Sequence, residues 1–309
     1  MAVPVQLRAV FIGALNMDQI VRVEHLPRPG ETVSGGDLLR APGGKGGNQA
    51  VAAARLRASV TMVGRVGRDA FGRELSRGLR EAGVSTAGVR ASDRPTGTAL
   101  IFVDEHGENA IAVSPGANGT LRGEDVPRRA ILDADVVVAA LEVPLGSIQA
   151  AFRVAQLVGV RTVLNAAPAQ ALSREMLDLC DVVICNETEL GTLVGHEVGV
   201  GSEVDAARSL ILGRSWEKIV VVTLGERGAL AVVGPQDVLE QSAFPVQVVD
   251  TVGAGDAFVA GFVVARWFAT GVDTALRWGC AAGGLATTRH GAQPSMPALS
   301  DLERLLSQG

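Results

Sequence analysis

The feature that most constrains the fold is a series of short, almost wholly apolar runs that alternate with helix-compatible stretches. The apolar runs are 9–12, 60–63, 136–141, 162–164, 182–184 and 219–223. The helix-compatible stretches are 47–56, 70–82, 147–158, 187–194 and 204–212. Strands buried on both faces of a parallel sheet have this continuous apolar character. The pattern therefore predicts an α/β fold in which a mainly parallel central sheet lies between two layers of helices.

Two segments interrupt this alternation. Residues 19–38 and 97–113 contain short amphipathic strands and turn residues such as Pro29 and Gly30, with no helix between the strands. We expect these strands to form a small antiparallel sheet that projects from the main domain. Two interpretations of that sheet remain open. It is either a pair of surface hairpins or a lid that keeps water out of a reaction cleft.

Composition excludes several classes of protein. The chain has 309 residues, a net charge of −5 and no cluster of basic residues, which argues against nucleic acid as its main partner. No apolar run reaches the roughly 18 residues of a membrane-spanning helix, and no secretory signal pattern is present. Cys180, Cys185 and Cys280 lack the spacing of metal ligands, so free thiols in a reducing compartment are expected. We therefore expect a cytoplasmic protein with no membrane partner.

The run from Asp250 to Phe258 carries the strongest chemical signal. It leads into the apolar stretch 254–268, which predicts a buried helix. Gly253 and Gly255 allow backbone N–H groups to approach a ligand, and the unpaired amides of a helix N-terminus favour an anion such as phosphate. Asp256 beside that site has two interpretations. It is a general base for a hydroxyl that attacks the phosphate, or it caps the helix.

A second glycine-rich loop, at 42–49, leads into the helical run 49–56. It is not a P-loop, because the order Gly-x-x-x-x-Gly-Lys-Ser/Thr is absent. Its glycines, together with Lys45 and Asn48, suit close contact with a polyhydroxylated ligand. Upstream, Asn16 and Asp18 follow the first strand, at the sheet edge where α/β proteins bind ligands. A carboxylate can accept hydrogen bonds from two sugar hydroxyls, although all these residue types also favour turns.

Several segments, in order along the chain, resemble motifs of the ribokinase or PfkB-type family of carbohydrate kinases. The matching segments are GALNMD (13–18), GGKGGN (43–48), NETE (186–189), TLGERG (223–228), DTVGAGDAFVAG (250–261) and RHGAQPS (289–295). The resemblance runs from about residue 9 to 300. It implies a ribokinase-like three-layer α/β/α sandwich as a single domain over 1–309, with a small β-sheet lid formed by about 19–38 and 97–113. It also implies ATP-dependent phosphorylation of a sugar.

The resemblance assigns roles to individual residues. Asp256 would be the catalytic base, and the amides of Gly253, Ala254 and Gly255 would stabilise the transferring phosphoryl group. The implied sugar-binding residues are Asn16, Asp18, Gly44, Lys45, Gly46, Gly47, Asn48, Glu142 and Asp256. The implied nucleotide-binding residues are Asn186, Thr223, Leu224, Gly225, Glu226, Arg227, Gly228, Gly255 and Cys280.

Two cations are implied in the same way. Asn186 and Glu189 would hold Mg²⁺, partly through water, because Mg²⁺ loses its hydration shell reluctantly. A monovalent cation, K⁺, would lie beside the phosphate-binding loop and add positive potential there. The positions that match its site are Asp250, Val252, Ala286, Arg289, Gly291 and Ser295.

The sequence of the glycine loop narrows the range of sugars that the resemblance implies as substrate. With Lys45, it resembles the ribokinase group, which implies transfer of the γ-phosphate to the 5-hydroxyl of D-ribose. A related pentose, deoxyribose or nucleoside kinase remains an alternative. A catalytically silent sugar-binding regulator would lack the base or the glycines, but Asp256, Gly253 and Gly255 are all present. We also expect a homodimer formed through the lid strands, because exposed strand edges pair with other chains.

Overall fold

The computed structural model describes residues 6–211, 218–234, 236–267 and 271–308, and within them it contains two β-sheets. The larger sheet is formed by β1 (Arg8–Ile12), β4 (Ser59–Gly67), β5 (Ser85–Ser92), β8 (Val136–Ala140), β9 (Arg161–Asn165), β10 (Val182–Asn186), β11 (Ile219–Thr223), β12 (Ala229–Val233) and β13 (Asp237–Gln241). The smaller sheet is formed by β2 (Asn16–Arg22), β3 (Leu39–Gly43), β6 (Gly97–Val103) and β7 (Asn109–Ser114).

The α-helices of the described residues pack mainly around the larger sheet. They are α1 (Lys45–Arg55), α2 (Ala70–Glu81), α3 (Arg128–Leu132), α4 (Leu145–Leu157), α5 (Arg174–Asp178), α6 (Glu187–Val194), α7 (Glu203–Ile211), α8 (Ala254–Trp267), α9 (Val272–Ala286), α10 (Ala292–Ser295) and α11 (Leu299–Gln308). Two predicted helix ends, Leu212 and Phe268, lie outside the described residues. No helix within the described ranges is long and apolar enough to cross a membrane.

The larger sheet has the spatial order β13-β12-β11-β10-β9-β8-β1-β4-β5. All neighbouring strands from β11 to β5 are parallel, and all six predicted apolar runs lie within this part. Only the pairs β11–β12 and β12–β13 are antiparallel. Because the parallel strands run in one direction, their carboxyl ends meet at a single edge of the sheet.

The core occupies both faces of the larger sheet, as the apolar runs predict. Alternate residues of β1 belong to different clusters: Phe11 packs with α1, α8 and α9, whereas Val10 packs with α4. Helix α8 is buried along almost its whole length, and Phe262 within it is fully buried. Burying one side chain of this size contributes about 2 kcal/mol of stability. The α/β/α sandwich is therefore confirmed.

The smaller sheet differs from the prediction. Its order is β3-β2-β6-β7, with β2–β3 and β6–β7 antiparallel but β2–β6 parallel, so a wholly antiparallel sheet is wrong. The reason is that β2 and β6 each follow a strand of the parallel sheet, β1 and β5, and leave it at the same edge. The strand boundaries also differ, because β3 lies beyond residue 38 and contains part of the glycine loop. Pro42 is accommodated there because β3 is an edge strand.

Candidate active site

The predicted site residues gather at the carboxyl edge of the larger sheet. Asn16 and Asp18 lie in β2, just after β1, and Glu142 lies just after β8. Three neighbouring parallel strands end in polar residues at this edge, namely Asn165, Asn186 and Thr223. The starts of α1 and α8 face the same region and contribute Lys45 and Asp256.

Close backbone packing seats the glycine loop on the segment that links β1 to β2. A Cβ added at Gly13 would lie 2.7 Å from the Cα of Gly46, and one added at Gly46 would lie 2.6 Å from the Cα of Gly13. Gly44 has a φ of +83°, and a Cβ there would lie 2.6 Å from the carbonyl oxygen of Ala14. At Gly47, it would lie 2.9 Å from Leu15 Cδ2. The glycines of this loop therefore bring the start of α1 against the sheet edge.

The carboxylate of Asp256 is held by side chains of α1. Asn48 Nδ2 donates to Asp256 Oδ2 at 2.8 Å, and Gln49 Nε2 donates to Asp256 Oδ1 at 3.0 Å. Asp256 is the third residue of α8, and only 6% of it is exposed. The capping interpretation is therefore wrong, because the two oxygens accept from α1 rather than from the first turn of α8.

A buried acceptor lies beside this carboxylate. Asn48 Oδ1 has no hydrogen-bond partner among the described residues, although it is buried. An unpaired buried carbonyl oxygen costs free energy, so a ligand hydroxyl that donates to it would be favoured. The amide of Asn48 thus joins the predicted base to the predicted sugar site.

Asp18, Lys45 and Glu142 form a charged cluster around the same point. The backbone N–H of Lys45 donates to Glu142 Oε2 at 2.7 Å. Burial raises the pKa of Asp18 to about 7, and the charges of Glu142 and Asp256 add to this effect. Burial also raises the pKa of Glu142 to about 7, opposed by Lys45 and reinforced by Asp256. Burial acts to lower the pKa of Lys45, but the surrounding carboxylates outweigh it and raise that pKa.

Asn16 is oriented by Asn118, a residue outside every motif. Asn118 Nδ2 donates to Asn16 Oδ1 at 2.8 Å, while Asn118 Oδ1 accepts from the backbone N–H of Leu15 at 2.9 Å. Both asparagines are buried. The side-chain oxygen of Asn16 accepts this hydrogen bond, which orients the side chain and leaves its NH₂ group to donate to a ligand.

The predicted phosphate-binding loop contains two glycines in different environments. Gly253 has a φ of +82°, and a Cβ there would lie 3.0 Å from the Cα of Ala292. A Cβ at Gly255 would meet no described atom within 4 Å, so the space beside it is open. The N–H of Ala254 donates to the Thr251 carbonyl at 3.2 Å, in the turn that leads into α8. The space beside Gly255 is therefore open, while Gly253 packs against the protein at Ala292.

The residues predicted for a monovalent cation join two loops. Asp250 Oδ1 accepts from the N–H of Val252 at 3.0 Å, and Asp250 Oδ2 accepts from the N–H of Gly291 at 2.8 Å. The other predicted positions are less directly connected. Ser295 donates to the Ala292 carbonyl, and the Arg289 side chain pairs with Asp301. Ala286 is buried at the end of α9.

The residues predicted to bind nucleotide lie at the ends of β10 and β11. Asn186 and Glu189 form a reciprocal cap of α6: Asn186 Oδ1 accepts from the N–H of Glu189, and Glu189 Oε2 accepts from the N–H of Asn186, each at 2.8 Å. Burial raises the pKa of Glu189, although the N–H of Asn186 and the charge of Lys45 oppose the rise. Thr223 ends β11 and begins the loop 223–228.

The loop 223–228 is held in a tight conformation. Leu224 donates its N–H to the Gly228 carbonyl at 2.8 Å, and Gly225 and Gly228 have φ values of +60° and +102°. A Cβ at Gly228 would lie only 2.0 Å from the Gln241 carbonyl oxygen. Cys280 lies near the same carbonyl, with its Sγ 3.8 Å away, and burial raises its pKa to about 12. Cys280 is therefore a neutral thiol behind the loop.

Arg227 has a different environment from the one its motif suggests. Its guanidinium donates to Glu187 Oε1 and, at 2.8 Å, to Glu203 Oε1. The side chain of Glu203 is only 4% exposed. Arg227 thus links the loop 223–228 to the starts of α6 and α7, whereas Glu226 forms part of the short turn 225–227.

Comparison with known proteins identifies the family. Residues 6–299 match the description pfkB family carbohydrate kinase. The chain belongs to this family. A ribokinase from Haemophilus influenzae is 38% identical over 291 residues, which cover 93% of this chain and 94% of that protein. A deoxyribokinase from Salmonella typhimurium is 34% identical over 300 residues, covering 96% of this chain and 97% of that protein.

The fold agrees with that assignment. The structure of the Arabidopsis thaliana ribokinase complexed with ribose and ATP has a TM-score of 0.88 and 31% identity. The match covers 98% of this chain and 99% of that one. The predictions of a ribokinase-like fold and of a carbohydrate kinase are therefore confirmed.

The structure adds residues that the sequence analysis did not assign to the site. Gln49 and Asn165 extend the hydrogen-bond network of Asp256, and Asn118 orients Asn16. Two of them had a usable signal. Gln49 directly follows Asn48 at a predicted helix start, and Asn165 ends an apolar run at the ligand-binding edge. Asn118 lies in a segment without a motif, and only the fold brings it to Leu15 and Asn16.

Proposed function

We propose that this protein transfers the γ-phosphate of ATP to the 5-hydroxyl of D-ribose, giving ribose 5-phosphate and ADP. Ribokinases are among its relatives, and one of them is complexed with ribose and ATP. The observation that carries the proposal is the position of Asp256. Its buried carboxylate lies next to Gly255 at the start of α8 and accepts a hydrogen bond from Asn48 of the glycine loop. A base is thereby available between a phosphate site and a sugar site.

In the proposed reaction, Asp256 accepts the proton of the ribose 5-hydroxyl. The hydroxyl oxygen forms a bond to the γ-phosphorus as the bond to the leaving oxygen of ADP breaks. The amides of Gly253, Ala254 and Gly255, at the N-terminus of α8, stabilise the charge on the phosphoryl group, with the N–H of Ala254 exchanging its bond to the Thr251 carbonyl for one to a phosphoryl oxygen. The open space beside Gly255 supports this role.

Ribose would be bound by donors and acceptors from three elements. Asp18, Glu142 and the orphaned oxygen of Asn48 accept from sugar hydroxyls, while Asn16 and Lys45 donate. The glycines Gly44, Gly46 and Gly47 bring the backbone of the loop close to the sugar. Such a site discriminates between sugars, because an analogue that lacks a hydroxyl leaves a buried acceptor unpaired.

ATP would lie over the loop formed by Thr223, Leu224, Gly225, Glu226, Arg227 and Gly228, with Cys280 behind it. Arg227 supports this loop through Glu187 and Glu203 rather than by direct contact with phosphate. Asn186 and Glu189 suit a hydrated Mg²⁺, because the raised pKa of Glu189 marks a partly buried carboxylate that a cation would stabilise. When bound, Mg²⁺ would neutralise charge on the ATP phosphates.

A K⁺ ion would be held near Asp250 by backbone carbonyls of the positions predicted above. The fit rests on Asp250, which already joins the two loops that would enclose the ion. We expect turnover to be higher in potassium buffer than in choline buffer at equal ionic strength. Equal turnover in the two buffers would contradict the proposed cation site.

The smaller sheet would act as a lid and as a dimer interface. The face that carries Asp18 also carries Leu39, Ile111 and Val113, according to the strand register, and these three side chains are more than half exposed. Exposed apolar residues on one face indicate a surface that becomes covered. We propose that this face closes over the sugar and packs against the lid of a second copy. Sedimentation velocity of the intact protein tests the dimer.

Deoxyribose is the second candidate substrate, because a deoxyribokinase is 34% identical to the chain. A coupled assay of ADP release with ribose, deoxyribose, fructose and adenosine separates the alternatives. We expect the highest kcat/KM for ribose and a phosphomonoester at C5 by ³¹P NMR. Equal turnover on all four, or a preference for adenosine, would overturn the ribose assignment. An Asp256→Asn preparation serves as the control for contaminating kinases.

A further inference from the structure

We infer that Gln49 is a positioning residue that fixes the orientation of the Asp256 carboxylate through a hydrogen-bond relay from β10. This inference rests on the proposed role of Asp256 as the base. Gln49 is only 1% exposed. Its Nε2 lies 3.0 Å from Asp256 Oδ1 and 2.9 Å from Asn165 Oδ1, so both hydrogens of the NH₂ group have an acceptor.

The relay has only one consistent direction. Asn165 Nδ2 lies 3.2 Å from the carbonyl oxygen of Ile184 in β10, and a carbonyl can only accept. The NH₂ group of Asn165 must therefore face Ile184, which turns its oxygen towards Gln49. Gln49 must in turn present its NH₂ group, and the same group reaches Asp256. The carbonyl of Ile184 in β10 thus determines which end of each side-chain amide, in Asn165 and in Gln49, carries the oxygen and which carries the nitrogen.

The geometry at Asp256 explains why this orientation matters. Asn48 holds Oδ2 at 2.8 Å and Gln49 holds Oδ1 at 3.0 Å, so rotation of the carboxylate would break both hydrogen bonds. A general base must lie within hydrogen-bond reach of the hydroxyl and keep a lone pair directed at it. Asn48 also belongs to the sugar site, whereas Gln49 contacts the base and Asn165. Gln49 is therefore expected to act on the chemical step and not on sugar binding.

The test is the kinetics of Gln49→Met, which keeps a similar volume but removes both N–H groups. We expect kcat to fall by about 10- to 100-fold, a loss of the size that follows misplacement of a reacting group. We expect the KM values for sugar and ATP to stay within about 3-fold of wild type, since a positioning residue acts on the transition state. Gln49→Leu, which also removes the donors, provides a second variant. Gln156→Met is the matched control, because Gln156 donates to the Asp178 carbonyl at 3.1 Å on an exposed helix surface.

Asn165→Leu tests the relay itself. If Asn165 acts through Gln49, Asn165→Leu lowers kcat, and the double variant with Gln49→Met is no slower than Gln49→Met alone. Unchanged kcat in both Gln49 variants would overturn the inference. A fall in kcat accompanied by a rise in both KM values and a fall in thermal stability would also overturn it, because that combination indicates a structural role. All these assays use the substrate on which the wild-type protein has the highest turnover among ribose, deoxyribose, fructose and adenosine. An error in the proposed substrate therefore appears in the wild-type comparison of these four compounds. An error in the role of Gln49 appears only when the variants are compared with wild type.

Discussion

The backbone N–H of Lys45 donates to Glu142 Oε2 at 2.7 Å, which ties the first residue of α1 to the segment after β8. This hydrogen bond holds a glutamate of the proposed sugar site close to Asp18 and Asp256. Burial and the neighbouring charges raise the pKa values of Glu142 and Asp18 to about 7. These raised pKa values lead to two predictions about pH.

The affinity for sugar should increase as the pH rises through about 7. Protonation of Asp18 or Glu142 removes acceptor capacity for sugar hydroxyls, so ribose should bind more weakly at pH 6 than at pH 8. Calorimetric titration of ribose without ATP measures this separately from turnover. Glu142→Gln should flatten the pH dependence, while the remote surface variant Glu175→Gln should retain it. A constant dissociation constant from pH 6 to 8 would show that these carboxylates do not titrate in the free site.

The stability of the ligand-free protein should change in the opposite direction. The folded-state pKa values of Asp18 and Glu142, about 7, lie above the ordinary values near 4, so the folded protein binds more protons than the unfolded chain between these limits. Their contribution to stability is complete below about pH 4 and is lost as the pH rises through about 7. Melting temperatures of wild type and Glu142→Gln should therefore converge at low pH, with the wild type falling more steeply between about pH 4 and pH 7 and levelling off above it. Parallel curves would contradict the expectation.

Asp256→Asn should separate binding from chemistry. We expect turnover to fall by at least about 10²-fold, which is the usual loss when a general base is removed. Ribose should still bind, because the sugar contacts of Asp18, Lys45 and Glu142 are unchanged. Steady-state kinetics together with ribose calorimetry provide the measurement. Turnover close to wild type would remove Asp256 from its proposed role.

The two glycines of the proposed phosphate-binding loop should respond differently to alanine. Gly255→Ala should leave the free energy of unfolding within about 1 kcal/mol of wild type or raise it, because the helix favours alanine and the added Cβ meets open space. Its turnover should still fall by at least about 10-fold, since the methyl group would occupy the proposed phosphoryl site. Gly253→Ala should lower stability by about 1–2 kcal/mol, because its φ is +82°. Denaturant unfolding and kcat, measured on both variants, test this contrast.

Arg227→Gln should weaken ATP binding more than ribose binding. The change leaves the buried Glu203 without its guanidinium partner and releases the loop 223–228 from α6 and α7. We expect kcat/KM for ATP to fall by about 10- to 100-fold, as expected for a misplaced binding loop, with the KM for ribose little changed. Arg153→Gln is the control, because Arg153 pairs with Glu175 on the exposed surface. Equal losses towards both substrates would indicate a general effect on folding.

Local sequence patterns predicted most of the strands that are buried on both faces. The six apolar runs lie in parallel strands, whereas the buried antiparallel strand β12 was not predicted. β5 was not predicted, since it lies at the sheet edge and is half exposed. The parallel pairing of β2 with β6 joins residues about 80 positions apart, as in Asn16 with Gly97, and no local pattern contains the direction of such a pair.

The same limit applies to the site. Motifs gave the residue types, including Asp256 and Asn48, but not the contacts that orient them. Gln49 and Asp256 are 207 positions apart, and Asn118 is 103 positions from Leu15. For Arg227, the motif predicts a nucleotide-binding residue, but only the structure reveals that its guanidinium also pairs with two glutamates from α6 and α7. Hydrogen-bond partners of this kind emerge only once the chain is folded.

Gly13 and Gly46 meet through backbone atoms alone, so neither position has a side chain that a mutation could shorten. In most packed pairs, a larger residue on one side can be accommodated by a smaller residue on the other. That exchange is impossible here, because both partners already have the smallest side chain. Homologous sequences should therefore lack compensating substitutions between these two positions, and a laboratory library that randomises both should return glycine at each independently.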